Sequence, residues 1–223
     1  MSMGQQYSCP GAHGGLWRFE DSADDILGRI TNTYTTLTYD GMGRFTKGTL
    51  GNGARRATFG YTYLKPTVVT ATFWYKGTTP GDDCVIISDM VYVSSKYYGF
   101  FVGFDAATHS IGIVLANGQS SWSFICVGTT ACDDGKWHFI CCTYDGSNAK
   151  TYIDGVLEKT TAKGAYGLSF YSYIYPALLC YHETSASYLF HITGLIDDLA
   201  IYNYAWTDSE VRRWWAHCNG KLV

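Results

Sequence analysis

Charge is scarce in this chain. Charged residues make up 16% of its 223 positions, the formal net charge is -3, and no run of lysine or arginine occurs. Nucleic acid and anionic membrane surfaces select for such runs, so both are excluded as main partners. No apolar stretch approaches the length of a bilayer span, which excludes insertion by a membrane helix. Met1–Gly15 has no signal-peptide core, and there is no Asn-x-Ser/Thr acceptor, so the sequence carries no mark of secretion. Glutamate is rare: the chain has Glu20, Glu158, Glu183 and Glu210, and no strand-like segment carries alternating carboxylates. The acid pairs Asp82-Asp83, Asp133-Asp134 and Asp197-Asp198 are adjacent residues, which face opposite ways in a strand. A retaining glycosidase needs two carboxylates close together on one face, and this sequence proposes no such pair. It also lacks a Gly-x-Ser-x-Gly elbow, a phosphate loop and a His-Glu-x-x-His helix. The chain is therefore read as a non-enzyme.

Cysteine is plentiful but unpatterned. The eight residues stand at 9, 84, 126, 132, 141, 142, 180 and 218 with no Cys-x-x-Cys pair, which leaves a zinc site without support. Cys141 and Cys142 point to opposite faces of one strand and cannot reach the same partner. Without an export signal, compartment favours reduced thiols over disulfides.

Aromatic residues (17%) and 25 glycines, with few prolines, predict many strands joined by tight turns. The stretch Asp134–Thr161 says this most clearly. Trp137, Phe139, Cys141 and Thr143 alternate with His138, Ile140, Cys142 and Tyr144, the period of a strand covered on both faces. Asp145-Gly146 turns the chain, Lys150 to Ile153 returns it, and Asp154-Gly155 turns it again. Further turn signals stand at Gly77–Asp83, Asp105–Thr108, Asn117-Gly118 and Asp133–Gly135. One helix is expected, at the end: Thr207 and Glu210 have capping-box spacing, and Val211, Trp214 and Trp215 give it an apolar side. At this length a single sandwich buries about 70% of its unfolded surface and needs no staple.

The Trp-His strand followed by Tyr-x-Asp-Gly resembles the signature hairpin of the laminin-G-like jelly roll, the concanavalin-A-like sandwich. Gly15–Glu20 is similar to that family's opening strand, Thr67–Lys76 to its second core strand, and Gly194–Asn203 to its Gly-x-Ile-Asp-Asp strand. The resemblance implies an all-β fold: a two-sheet antiparallel jelly-roll sandwich with a short C-terminal helix. Residues 1–15 read as a loose lead and 16–223 as one domain.

The resemblance also implies sites. Many laminin-G-like domains hold a structural calcium ion between the N-terminal segment and the Ile-Asp strand, which carries over to Glu20 or Asp21 and Asp197 or Asp198. Here Phe19-Glu20 replaces the usual Phe-Asp. The competing reading makes Asp21 a turn acid and Asp197 an acceptor of backbone hydrogen bonds. Tyr171, Tyr173 and Tyr175 alternate and would share one strand face, as a glycan platform, a subunit contact or a second core layer. Trp122 is a weaker candidate of the same kind. Trp17, Trp74 and Trp137 are expected in the packing, and His138 as a hydrogen-bonded histidine inside the sandwich.

These readings lead to a non-catalytic binding or assembly domain. The first expectation is a virion-surface protein, a capsid-decoration, head-fibre or tail component of a bacteriophage. It would be made in the cytoplasm and attach to glycans, to other virion subunits or to its own copies. The alternative is an extracellular carbohydrate-binding module that accompanies a secreted glycan-degrading enzyme.

Overall fold

The computed structural model describes residues 15–19, 32–40, 43–45, 47–52, 57–59, 66–78, 82–163, 168–170, 176–184, 187–189 and 191–219. Tyr171, Tyr173, Tyr175, Glu20 and Asp21 lie outside the described residues.

Two antiparallel sheets face each other. The first runs in the order Val156–Ala162, Asn148–Ile153, His138–Tyr144, Val69–Lys76, Thr193–Tyr202, Gly48–Asn52, Tyr39–Asp40, with Leu16–Trp17 also on Thr193–Tyr202. The second runs Cys126–Val127, Ser110–Gln119, Lys96–Asp105, Cys84–Val93, Ala177–Leu178, Ala57–Phe59, Asn32–Thr35. The expected sandwich is present, and its non-consecutive neighbours are those of a jelly roll.

Alternation along the strands divides the apolar residues among three layers. Phe73, Ile140, Cys142 and Ile196 of the first sheet meet Phe100, Val102, Ile111 and Ile113 of the second in the central core. Each such side chain, fully withdrawn from water, contributes about 1.5–3 kcal/mol. The opposite face of the first sheet is apolar too. Trp74, Phe139, Cys141, Tyr152 and Tyr202 are buried there beneath Trp206 and Val211 of the C-terminal segment. Val85, Met90, Phe101 and Val114 form the corresponding layer on the second sheet, with Trp122 and Phe124 packed against it. Cys141 and Cys142 thus belong to different layers, as the period predicts.

The helix Asp208–Cys218 has the expected capping box: Glu210 N–H donates to the Thr207 hydroxyl, and Thr207 N–H donates to the Glu210 carboxylate. Asp208 ties this end to the sheet by accepting from Tyr152 Oη at 2.7 Å and from Lys150 Nζ at 2.9 Å. The helix lies as a lid on the first sheet, as its sequence implied.

Two local expectations are corrected. Asn117-Gly118 does not turn the chain; both residues lie within the strand Ser110–Gln119, where Gly118 (φ 100°) accompanies a register shift opposite Tyr97 and Tyr98. A left-handed glycine next to a bulge absorbs an extra residue without ending the strand. Trp137 is only half-buried, because the strand begins one residue later, at His138.

Candidate functional site

The Asp154-Gly155 turn is the base of the most chemically distinctive hollow. Both residues are left-handed (φ 51° and 78°), the conformation that a two-residue hairpin of this hand requires. Asp154 holds the turn to the neighbouring strand. Its Oδ1 accepts from Phe139 N–H at 2.9 Å, its Oδ2 lies 2.8 Å from His138 Nδ1, and its own N–H donates to the Phe139 carbonyl at 2.8 Å. Gly155 leaves room for an indole: a Cβ there would stand 3.0 Å from the Cβ, Cγ and Cδ2 of Trp215. The last turn of the helix therefore rests on the hairpin.

Two more walls come from distant segments. Trp74 stands opposite Phe139 in the sheet register, with ring centroids 5.5 Å apart. Arg44 arrives from the segment before Gly48–Asn52 and lays its guanidinium 4.7 Å from the Trp74 ring centroid. Its Nη2 donates to Asn219 Oδ1 at 3.2 Å, while Asn219 Nδ2 donates back to the Trp215 carbonyl at 2.9 Å. Trp137 closes the ring. Arg44, Trp74, Trp137, Asp154, Trp215 and Asn219 line an open hollow of about 420 Å³. It combines indole faces with guanidinium and amide donors and carboxylate and amide acceptors.

Two other hollows among the described residues lack this combination. One of about 570 Å³ flanks the helix N-terminus, where Lys150 and Asp208 are already paired and Trp206 is 5% exposed. One of about 200 Å³ beside Ser110–Gln119 is lined by no aromatic ring. Trp122 lines none of the three; its ring packs edge-on to Phe101 at 5.0 Å and to Phe124 at 6.1 Å.

The expected metal residues are only partly in view. Asp197 is 1% exposed and accepts backbone N–H from Asp198 at 2.8 Å and from Phe45 at 3.1 Å. Burial, with Asp198 beside it, pushes its carboxyl up to about 7. Asp198 (φ 45°) lies where the register with Val69–Lys76 shifts, and its carboxylate is 4.0 Å from Arg18 Nε. Among the described residues no group of three His, Cys, Asp or Glu is arranged to hold a metal ion. Both Asp197 oxygens serve the backbone, so the described residues alone do not form a calcium shell. Asp197 does have a bearing on the hollow, since it anchors Phe45 and so fixes the position of Arg44.

His138 is nine-tenths buried and sits between two acids, with Nδ1 at Asp154 and Nε2 at 3.1 Å from Asp134 Oδ1. Cys84, Cys126, Cys132, Cys141 and Cys142 are buried free thiols.

The sequence profile described as the concanavalin A-like lectin/glucanases superfamily matches residues 51–212. The chain belongs to that superfamily. Known structures agree with the assignment. This concanavalin A-like domain superposes on domain 4 of AbnA, a GH43 extracellular arabinanase from Geobacillus stearothermophilus solved with arabinotriose, with a TM-score of 0.65 and 17% identity. The match covers 89% of this chain and 96% of that one. It superposes on the binding domain of Paraclostridial Mosquitocidal Protein 1 with a TM-score of 0.71 and 12% identity, covering 92% and 52%. The ligand-binding domain of botulinum neurotoxin serotype D, solved with N-acetylneuraminic acid, gives a TM-score of 0.68 and 11% identity over 92% and 51%. The chain thus spans nearly all of the arabinanase domain and about half of each toxin domain. No curated protein matches by sequence.

Trp215, Arg44 and Asn219 escaped sequence reasoning. Arg44 lies in a glycine-rich stretch without periodicity, and Trp215 reads as part of the apolar side of a helix. One signal was available: adjacent Trp214 and Trp215 point about 100° apart on a helix, so one flat sheet cannot cover both equally.

Proposed function

We propose that this domain is a non-catalytic glycan-binding module whose site is the hollow between the Asp154-Gly155 turn and the end of the C-terminal helix. The observation that carries the reading is the convergence of the half-buried indoles of Trp137 and Trp215, above a floor formed by buried Trp74, on one hollow that also holds Arg44, Asp154 and Asn219. Sugar rings stack their C–H faces on indoles while their hydroxyls meet nearby donors and acceptors. The relatives solved with arabinotriose and with N-acetylneuraminic acid support the ligand class. Absence of catalysis is supported by the lining: among its described residues Asp154 is the one carboxylate, already engaged by His138 and Phe139, whereas glycoside hydrolysis uses a pair.

The finer reading places the domain on a virion surface, as a decoration, fibre or tail component that attaches a particle to glycans and to its other subunits or copies. The buried free thiols of Cys84, Cys126, Cys132, Cys141 and Cys142 are consistent with folding in a reducing cytoplasm. A second reading, an extracellular module beside a glycan-degrading enzyme, is favoured by the near-complete overlap with the arabinanase domain. A structural calcium ion at Asp197 and Asp198 belongs to either reading only if Glu20 or Asp21 completes its shell. A glycan-array screen with calcium and with chelator tests the common core. Specific binding that Trp215→Ala abolishes supports it, and silence from a folded sample overturns it.

A further inference from the structure

The hollow has a second layer of support that the lining residues do not include. Asp154 is held from behind by His138, whose two ring nitrogens both face carboxylates: Nδ1 is 2.8 Å from Asp154 Oδ2 and Nε2 is 3.1 Å from Asp134 Oδ1. An ionised carboxylate only accepts, so this arrangement is fully satisfied only when both ring nitrogens carry a proton. A neutral ring would turn a lone pair toward one of the two acids.

The neighbours define which charges act on the ring. On the chain before the strand, Asp134 faces Nε2 and is itself bound by Lys136, through Nζ at 2.5 Å and N–H at 2.8 Å. On the hairpin, Asp154 faces Nδ1. On the adjacent strand, Tyr75 stands opposite His138 in register, and its hydroxyl donates to the Thr193 carbonyl. Lys136 thus stabilises Asp134 as an anion. The two carboxylates outweigh the burial of the ring and hold His138 above its ordinary 6.5, with the Asp154 hydrogen bond the largest cause.

We propose that His138 is a positioning residue of the binding hollow, and that this reading makes ligand binding depend on its protonation. The path is short and contiguous. His138 fixes the Asp154 carboxylate, Asp154 fixes the left-handed turn, and the turn carries Gly155, on which the Trp215 indole rests. With His138 charged, the turn and the indole are held in the geometry described above. When His138 loses its proton, one of its two carboxylate contacts loses its hydrogen. Because Asp134 has Lys136 as a substitute donor and Asp154, among the described residues, has Phe139 N–H besides, loosening on the Asp154 side reaches the hollow. The inference rests on the glycan reading for its function but not for its geometry.

The test separates the two. The intact, ligand-free domain is titrated from acid to alkaline pH by NMR, following the His138 imidazole and the indole N–H signals of Trp137 and Trp215. The expected result is one shared midpoint above 6.5 for the imidazole and the Trp215 indole. Asp134→Asn should lower that midpoint for both signals together, and His138→Gln should abolish the indole transition. Trp215 signals that do not move with His138, or that titrate unchanged in Asp134→Asn, overturn the inference; that variant alters a partly exposed acid and keeps the test informative should His138→Gln fail to fold. In a separate arm, arabinotriose and N-acetylneuraminic acid serve as probes on either side of the midpoint. Weaker binding above it supports the coupling, and equal binding on both sides contradicts it. If neither sugar binds at either pH while the indole transition persists, the positioning role stands and the choice of ligand class falls.

Discussion

Gly155 and Trp215 are in direct contact: the Trp215 side chain covers the hairpin turn so closely that a β-carbon on the glycine would stand 3.0 Å from its Cβ, Cγ and Cδ2. This contact makes the wall of the hollow from two segments some sixty residues apart in the chain.

Gly155→Ala therefore has two costs, strain at a left-handed φ of 78° and a displaced indole. The expected loss of stability is about 1–2 kcal/mol from the backbone alone. Thermal unfolding measures that loss, and the change in Trp215 fluorescence reports the displacement. A variant with wild-type stability and spectrum would show that the turn and the helix are not coupled.

Trp137→Ala and Trp17→Ala should separate site from core. Trp17 is fully buried, and its truncation should cost about 3–5 kcal/mol. Trp137 is half-buried at the rim, so its truncation should cost clearly less and should reduce glycan binding. Urea unfolding of both variants checks the order, and equal losses would return Trp137 to the core.

The contrast shows where sequence reasoning reached and where it stopped. The hairpin Asp134–Thr161, the two layers of Cys141 and Cys142, and the Thr207 capping box were legible because each depends on residues near in sequence. Membership of the hollow was not, because Arg44, Trp74, Asp154 and Asn219 are brought together only by sheet order and by the seat of the helix. Trp137 illustrates the boundary: its period matches the strand, but the strand starts one residue later, and the ring lies at the rim.

Asp197 should give the domain an unusual pH dependence. Its carboxyl is raised from 3.8 to about 7, so the unfolded chain releases the proton first as pH rises. Stability contributed at this site is complete below about pH 4, falls between there and about pH 7, and then levels off, by an amount on the order of 4 kcal/mol. Melting temperatures of the native chain and of Asp197→Asn across this range test it. The difference between them should shift in favour of the variant as pH rises, and a difference constant with pH would contradict the assignment.

Thiol accessibility should follow burial. Among the described cysteines, Cys218 is expected to react first with an aromatic disulfide reagent in the native state, while Cys141 and Cys142 react only on unfolding. Burial also raises both of these thiols, which slows them further. Rapid native reaction at Cys141 or Cys142 would show that the layer beneath the helix opens.

The most direct test of the central claim is calorimetric titration of the array-identified glycan into the native domain, Trp215→Ala and Trp122→Ala. Trp215 lines the hollow, whereas Trp122 packs against Phe101 and Phe124 on the opposite sheet. The account predicts that binding is lost in Trp215→Ala, with the fold retained, and is unchanged in Trp122→Ala. Full affinity in a folded Trp215→Ala variant would contradict it and place the glycan site elsewhere on the domain.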